Sequence, residues 1–184
     1  MRTRAGILFS AVAAALLVAG CNGSHDSPTA APGNGQVAVQ MTDATTDLVT
    51  SVNVYVKAVT VKPRNSAAVR IASDVGMVDV LKLKGTVREL VAASVAAGDY
   101  EYVQVDFDHT RSNVVLKATG TAAPIEMASE SARIDGGFTV KEASRTTLVL
   151  DFQAEQSIAS SSDCSAWMLS PVIVMSSATV TVSG

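Results

Sequence analysis

The sequence predicts an all-β chain: an antiparallel β-sandwich of about eight to ten strands, with one short helix near residues 86–97. Three observations carry this. Apolar and polar residues alternate over short runs, as in Val103, Val105 and Phe107 against Gln104, Asp106 and Asp108. Successive strand side chains point to opposite faces, so a period of two marks strands with one face buried and one wet. Most apolar residues in these runs are β-branched, and their stiff side chains suit a pleated surface. Gly, Asn, Pro and Ser punctuate the runs at the spacing of sandwich turns.

The chain opens differently. Arg2 and Arg4 give a positive start, and Ala5 to Val18 is apolar except for Ser10. As a helix this stretch reaches roughly 20 Å, short of the roughly 30 Å hydrocarbon layer, so it reads as a secretory signal and not as a span. Leu17-Val18-Ala19-Gly20-Cys21 then resembles the bacterial lipobox. That resemblance implies cleavage between Gly20 and Cys21 and lipid attachment at the Cys21 sulfur. An ordinary secretory signal ending at a chance cysteine is the alternative. Two or three acyl chains on one cysteine make a firm anchor where a single chain is marginal. The expected address is the bacterial cell envelope. Asn22, where inner-membrane lipoproteins commonly carry Asp, favours the outer membrane.

Removing residues 1–20 takes away Arg2 and Arg4 and leaves 12 Lys and Arg against 17 Asp and Glu. A chain of net charge −5 lacks the clustered positive charge that nucleic acid requires, so no nucleic-acid partner is expected. Residues 21–35, rich in Gly, Pro, Ser, Asn and Ala, read as a flexible tether with an average reach of roughly 20 Å. Residues 36–184 suffice for one domain with its own core. With Cys21 given to lipid, Cys164 has no partner for an intramolecular disulfide.

Along that domain, Val37, Val39 and Met41 alternate first, followed by Val52, Val54 and Val56. A run over Gly76–Leu83 comes next. Thr86 to Gly98 then has helix formers, with Val87, Leu90, Val91 and Ser94 at helical spacing. Thr86 and Glu89 sit at capping-box spacing and Gly98 suits a helix exit, which predicts the one short helix. The run through Phe107 follows, with further runs at Asn113–Thr119, Pro124–Ala128 and Phe138–Val140. Leu148, Leu150 and Phe152 alternate next, ahead of Met168–Met175 and Ala178–Val182. Pro171, inside the penultimate run, predicts an edge strand or a bulge because it cannot donate to a ladder.

Few residues carry catalytic chemistry. His25 lies in the tether and His109 at a strand end, and no nucleophile elbow, zinc helix or phosphate loop is present. Gly33 to Ala38 fits a dinucleotide fingerprint by letter, but it leads from a linker into a strand. No cofactor is expected. Asp106 and Asp108 share one side of their strand, so with Asp151 or Asp79 they are candidates for a calcium shell. The plainer alternative makes Asp106 and Asp108 a solvated face, with Asp108 and His109 entering a turn. Trp167, the sole tryptophan, is a candidate binding platform beside a Ser-rich loop, or else caps the core. Lys82, Lys84 and Arg88 read as a solvated cationic face.

In their order and spacing, the segments at 37–47, 52–61, 78–85, 95–108, 135–158 and 167–175 resemble the bacterial lipoprotein family designated domain of unknown function 4382. The marks are the early Thr42-Asp43-Ala44, Val78-Asp79-Val80-Leu81, Ala97-Gly98-Asp99-Tyr100, and Leu169-Ser170-Pro171-Val172-Ile173. The resemblance covers nearly all of residues 36–176. It implies a secreted or lipid-anchored β-sandwich, similar to transthyretin-like or carboxypeptidase-regulatory modules, within the transthyretin- or immunoglobulin-like class expected of the fold, and no known activity or functional residues. Asp151-Phe152-Gln153 departs from the D-F-D of many relatives, which weakens a metal role at its end. The expected function is therefore that of a non-enzymatic envelope lipoprotein, anchored through lipidated Cys21 and binding an envelope protein or glycan through loops at one end. A calcium-stabilised adhesion module is the alternative. An enzyme acting on envelope polymers through Asp106, Asp108 or His109 is the third reading.

Overall fold

The alternating runs pair into three sheets in a computed structural model, which describes residues 33–43, 47, 49–162 and 166–181. The expectations for residues 1–32, among them the Gly20/Cys21 cleavage site, lipidated Cys21 and His25, and those for Cys164, lie outside the described residues. In chain order the strands are β1 (Asn34–Asp43), β2 (Val49–Pro63), β3 (Val69–Asp79), β4 (Arg88–Ala96), β5 (Gly98–Leu116) and β6 (Ala122–Pro124). There follow β7 (Glu126–Met127), β8 (Ser131–Val140), β9 (Ser144–Phe152), β10 (Ile158–Ser160), β11 (Trp167–Leu169) and β12 (Ile173–Thr181). A 3₁₀ turn, Val80–Leu83, follows β3, and one four-residue helix, α1 (Ala154–Ser157), follows β9.

One sheet has the order β12-β9-β1-β4; a second runs β3-β2-β5-β6 with β8 also paired to β5; a small third is β10-β11-β7. The all-β class is as the sequence predicts. Most pairings are antiparallel, but β1 lies parallel to β9, and β11 parallel to β7. A parallel neighbour needs a long crossover, and residues 44–143 separate β1 from β9.

The inner faces of the two larger sheets share one core, in a β-sandwich-like arrangement. Val37, Val39 and Met41 of β1 and Leu148, Leu150 and Phe152 of β9 join Val52, Val54, Val103, Val105 and Phe107 from the other sheet. Strand β9 alternates without a break, each second residue from Ser144 to Phe152 being buried. At about 25 cal/mol per Å² of apolar surface removed from water, such faces dominate the stability.

Four local expectations are corrected. The predicted helix at 86–97 is strand β4, which pairs with β1 from Asn34↔Ala96 to Met41↔Arg88. Its helix formers are outweighed because β1 would otherwise leave a ladder of backbone groups unpaired, whereas Ala and Glu lose only tenths of a kcal/mol each in a strand. The run expected at Gly76–Leu83 ends as a strand at Asp79 and becomes the 3₁₀ turn, with Val80 and Leu83 buried. Pro171 is neither in a strand nor at a bulge: it separates β11 from β12. The buried Ser157 bridges this break, accepting from Ser170 N at its carbonyl and from Val172 N at its hydroxyl. Finally, β1 begins at Asn34, two residues inside the expected tether.

Candidate functional site

Two turns and the start of β1 close one end of the larger sheets, and they surround a cleft of about 540 Å³. Its walls come from the β2–β3 turn (Pro63, Arg64, Asn65), Val69, the β4–β5 turn (Val95 to Tyr100) and Asn34. The sequence places turn formers at both corners. Gly98 takes φ +148, a left-handed value that favours glycine. Backbone bonds lock the corners together: Arg64 N donates to Asp99 O at 2.9 Å and Ala97 N to Gly33 O at 2.8 Å. Tyr100 is buried at the cleft, stacked on Phe138 with ring centroids 4.9 Å apart, and its hydroxyl donates to Ala96 O at 2.7 Å. Burial pushes its phenol up from the ordinary value. The Asp99 carboxylate accepts from Thr139 Oγ1 at 2.7 Å. A concave lining of mixed apolar and polar residues, of this size, is the usual form of a small-ligand site.

The residues singled out for calcium fall elsewhere. Asp106 and Asp108 lie on the outer face of β5, whereas Asp151 lies on β9 in the other sheet. Asp106 accepts from Ser131 Oγ and from Gln104 Nε2, the latter at 2.8 Å. Asp108 accepts from Thr110 N and Oγ1 at 3.1 and 2.6 Å, and these bonds draw its pKa below the usual carboxylate value. Asp151 accepts from Gln153 Nε2 at 2.6 Å. Asp79 takes Val52 N at 3.3 Å and has the Lys82 ammonium 3.2 Å away. Among the described residues no three His, Cys, Asp or Glu side chains group as a metal site. The carboxylates are thus held by hydroxyls, amides and a lysine. Asp108 and His109 do not enter a turn at a strand end as expected: β5 continues through them to Leu116, because the bulge lets the strand keep its pairing with β2.

Lys84 and Arg88 are exposed, like Lys82, and Arg88 donates to Met77 O at 2.6 Å. Trp167 is 4% exposed and packs in the core, and it also lines a pocket of about 270 Å³ with Glu126, Ser160 and Met168.

Around Asp108 the structure adds a cluster that the sequence reading did not assemble. Asn53 pairs with Asn113 but Tyr55 with Asp108, so one residue of β2 faces four of β5. At nearly the same level β3 bulges, Val56 facing Gly76 and Ala58 facing Ser73. Within the bulge Asp74 takes φ +53. The Arg111 guanidinium stacks over the Tyr55 ring at 3.4 Å and pairs with Asp74 at 3.4 Å, while the Tyr55 hydroxyl donates to Asp74. That hydrogen bond, more than anything else, raises the Tyr55 pKa. Beside it His109 Nδ1 meets Glu130 Oε1 at 2.5 Å; the contact raises the imidazole pKa and lowers the carboxyl's. Glu130 is positioned by its own carbonyl, which accepts from Phe107 N at 2.7 Å. A readable signal existed. The buried parity shifts from Val103, Val105 and Phe107 to Val114, and from Val52, Val54 and Val56 to Val59 and Val61. Each shift of parity marks a bulge.

Sheets, shared core and end cleft together define an all-β module of the β-sandwich-like class. The family described as a domain of unknown function (DUF4382) matches residues 34–171, and the chain belongs to that family. No curated protein and no solved structure matches the chain.

Proposed function

We propose that this chain is a lipid-anchored protein of the bacterial cell envelope, a non-enzymatic module that holds a small ligand, or an extended end of an envelope polymer, in the end cleft. The cleft carries the ligand part of this reading: about 540 Å³, lined by apolar Pro63, Val69, Val95 and Tyr100 together with polar Arg64, Asn65 and Asp99. Its corners are tied by backbone bonds, so little ordering entropy opposes binding. The anchor part rests on the sequence, on the short apolar run that ends at Cys21. Acyl chains on Cys21 hold the domain at a bilayer, and Asn22 directs it to the outer membrane.

Two measurements test the two parts separately. Labelled palmitate is expected to enter the wild-type chain and not a Cys21→Ser variant; an unlabelled wild-type chain overturns the anchor. For the cleft, the chain is screened by thermal shift against envelope glycan and peptide fragments. A fragment present at 100 times its Kd raises stability by about 2.7 kcal/mol. Ala96→Trp, at an exposed position of the cleft wall, is expected to abolish that gain. A gain undiminished in Ala96→Trp places the ligand elsewhere and overturns the cleft.

A further inference from the structure

Sheet edges present unpaired backbone N–H and C=O groups, and stable folds guard them with charges, prolines or bulges. Among the described residues, most edges of the two larger sheets are guarded. Strand β3 carries Arg70 and Asp74 and is bulged at Asp74. Strand β4 carries Arg88 and Glu89 and faces a bulge at Val39/Gln40. Strand β8 carries Arg133 and Asp135.

Strand β12 is different. Its nine residues, Ile173-Val174-Met175-Ser176-Ser177-Ala178-Thr179-Val180-Thr181, include no charge and no proline. It pairs along its whole length with β9 without a register shift; β8 packs close to it, with Gly136 near the Met175 side chain, but among the described residues no strand hydrogen-bonds to its other edge. Val174 is 58% and Val180 64% exposed, among the most exposed large apolar residues of the protein. Ser177 faces Leu148, whereas Val174 faces Asp151 and Val180 faces Arg145, so the two valines share the outer face.

From this we infer that β12 pairs antiparallel with β12 of a second copy, about a twofold axis at Ser177, joining two four-stranded sheets into one of eight. The two exposed valines select this register, because they lie equidistant from Ser177. It sets Val174 of each copy opposite Val180 of the other, and Ser176 opposite Ala178. Residues directly opposite in an antiparallel pair share a face, so the exposed valines cover one another in two symmetric pairs. The uncharged strand brings no like charges together at the seam, and the symmetry closes the assembly at two copies. A second copy of β12 thus meets each exposed valine with a valine, which favours it over an arbitrary partner.

Disulfide trapping tests the register in the full chain with Cys21→Ser and Cys164→Ser as background. Residues directly opposite in an antiparallel pair have Cα atoms about 4.5–5.5 Å apart, within disulfide range. Mild oxidation of Ser177→Cys is expected to give a disulfide-linked dimer on a non-reducing gel. Thr179→Cys is expected to give none, since each cysteine then faces residue 175 of the other copy. Adding Val180→Lys to Ser177→Cys is expected to lower the dimer yield about tenfold, by the means that guard other edges. Buried-type emission from Trp167 in each variant shows that it folds. The same chain without the new cysteine is expected to sediment as a dimer, and with Val180→Lys as a monomer.

A Ser177→Cys chain that stays monomeric overturns the inference. So does equal trapping of Thr179→Cys, undiminished trapping with Val180→Lys, or an adduct whose mass is not twice that of the chain.

Discussion

Among the described residues His109 is the one histidine, and its environment gives its charge change a direction. The Glu130 carboxylate 2.5 Å from Nδ1 raises its pKa, and Glu126 and Asp108 add to the effect. A raised folded value means a contribution to stability that is full below the ordinary imidazole value of about 6.5 and lost as the pH rises through the folded one. Glu130 is lowered, so its contribution is full above its ordinary value, near 4.5, and is lost as the pH falls through its folded value. The pair therefore works best between about pH 4.5 and 6.5 and weakens in alkali. In an NMR titration, the His109 imidazole is expected to titrate above 6.5 in the native chain and to move down in Glu130→Gln. An unchanged midpoint in that variant would show that the contact does not form. The sequence reading flagged Asp108 and His109 but not Glu130, which stands 21 positions away and arrives only through the Phe107 N–Glu130 O bond.

Among the elements, the four-against-one excursion of β5 costs the ladder a bond, and one side chain restores it. Ser112 Oγ donates to Asp108 O at 2.6 Å and accepts from Tyr55 N at 2.9 Å, with the residue 5% exposed. Ser112→Ala leaves the buried Tyr55 N–H without a partner and is expected to cost about 1–3 kcal/mol in denaturant unfolding. A change below a few tenths of a kcal/mol would mean that water replaces the hydroxyl. The parity shift announces that a bulge exists between Phe107 and Val114, but which residue heals it depends on where β2 lies. Strand β4 teaches the converse. Its residues satisfy every local rule for a helix, and a neighbour more than forty residues upstream overrides them, because an unpaired β1 costs more than the propensities add.

Over the whole molecule, one core serves both large sheets, and Trp167 closes it together with Leu169 and Ile158. Because it is the sole tryptophan and buried, its fluorescence reports on the global transition. Native emission is expected near that of an apolar medium, shifting red in one cooperative step with denaturant. Trp167→Ala is expected to destabilise by about 3–5 kcal/mol through the cavity it leaves. A loss under 1 kcal/mol would show that the ring contributes little packing and return it to the surface role considered from sequence. The end cleft also belongs to this scale, since Pro63, Val69, Val95 and Tyr100 come from four strands and meet only when the sheets close.

The sequence by itself determined the all-β class, the family, and the inner faces of most strands. Each of these is written in local periodicity or in the order of short segments, and a period of two needs no knowledge of neighbours. Only the tertiary structure decided that residues 88–96 are a strand, that β1 runs parallel to β9, that His109 meets Glu130, and where a cleft opens. Those outcomes depend on which distant backbone groups must be paired and which side chains share a sheet face, and hydrogen bonding between strands is indifferent to distance along the chain.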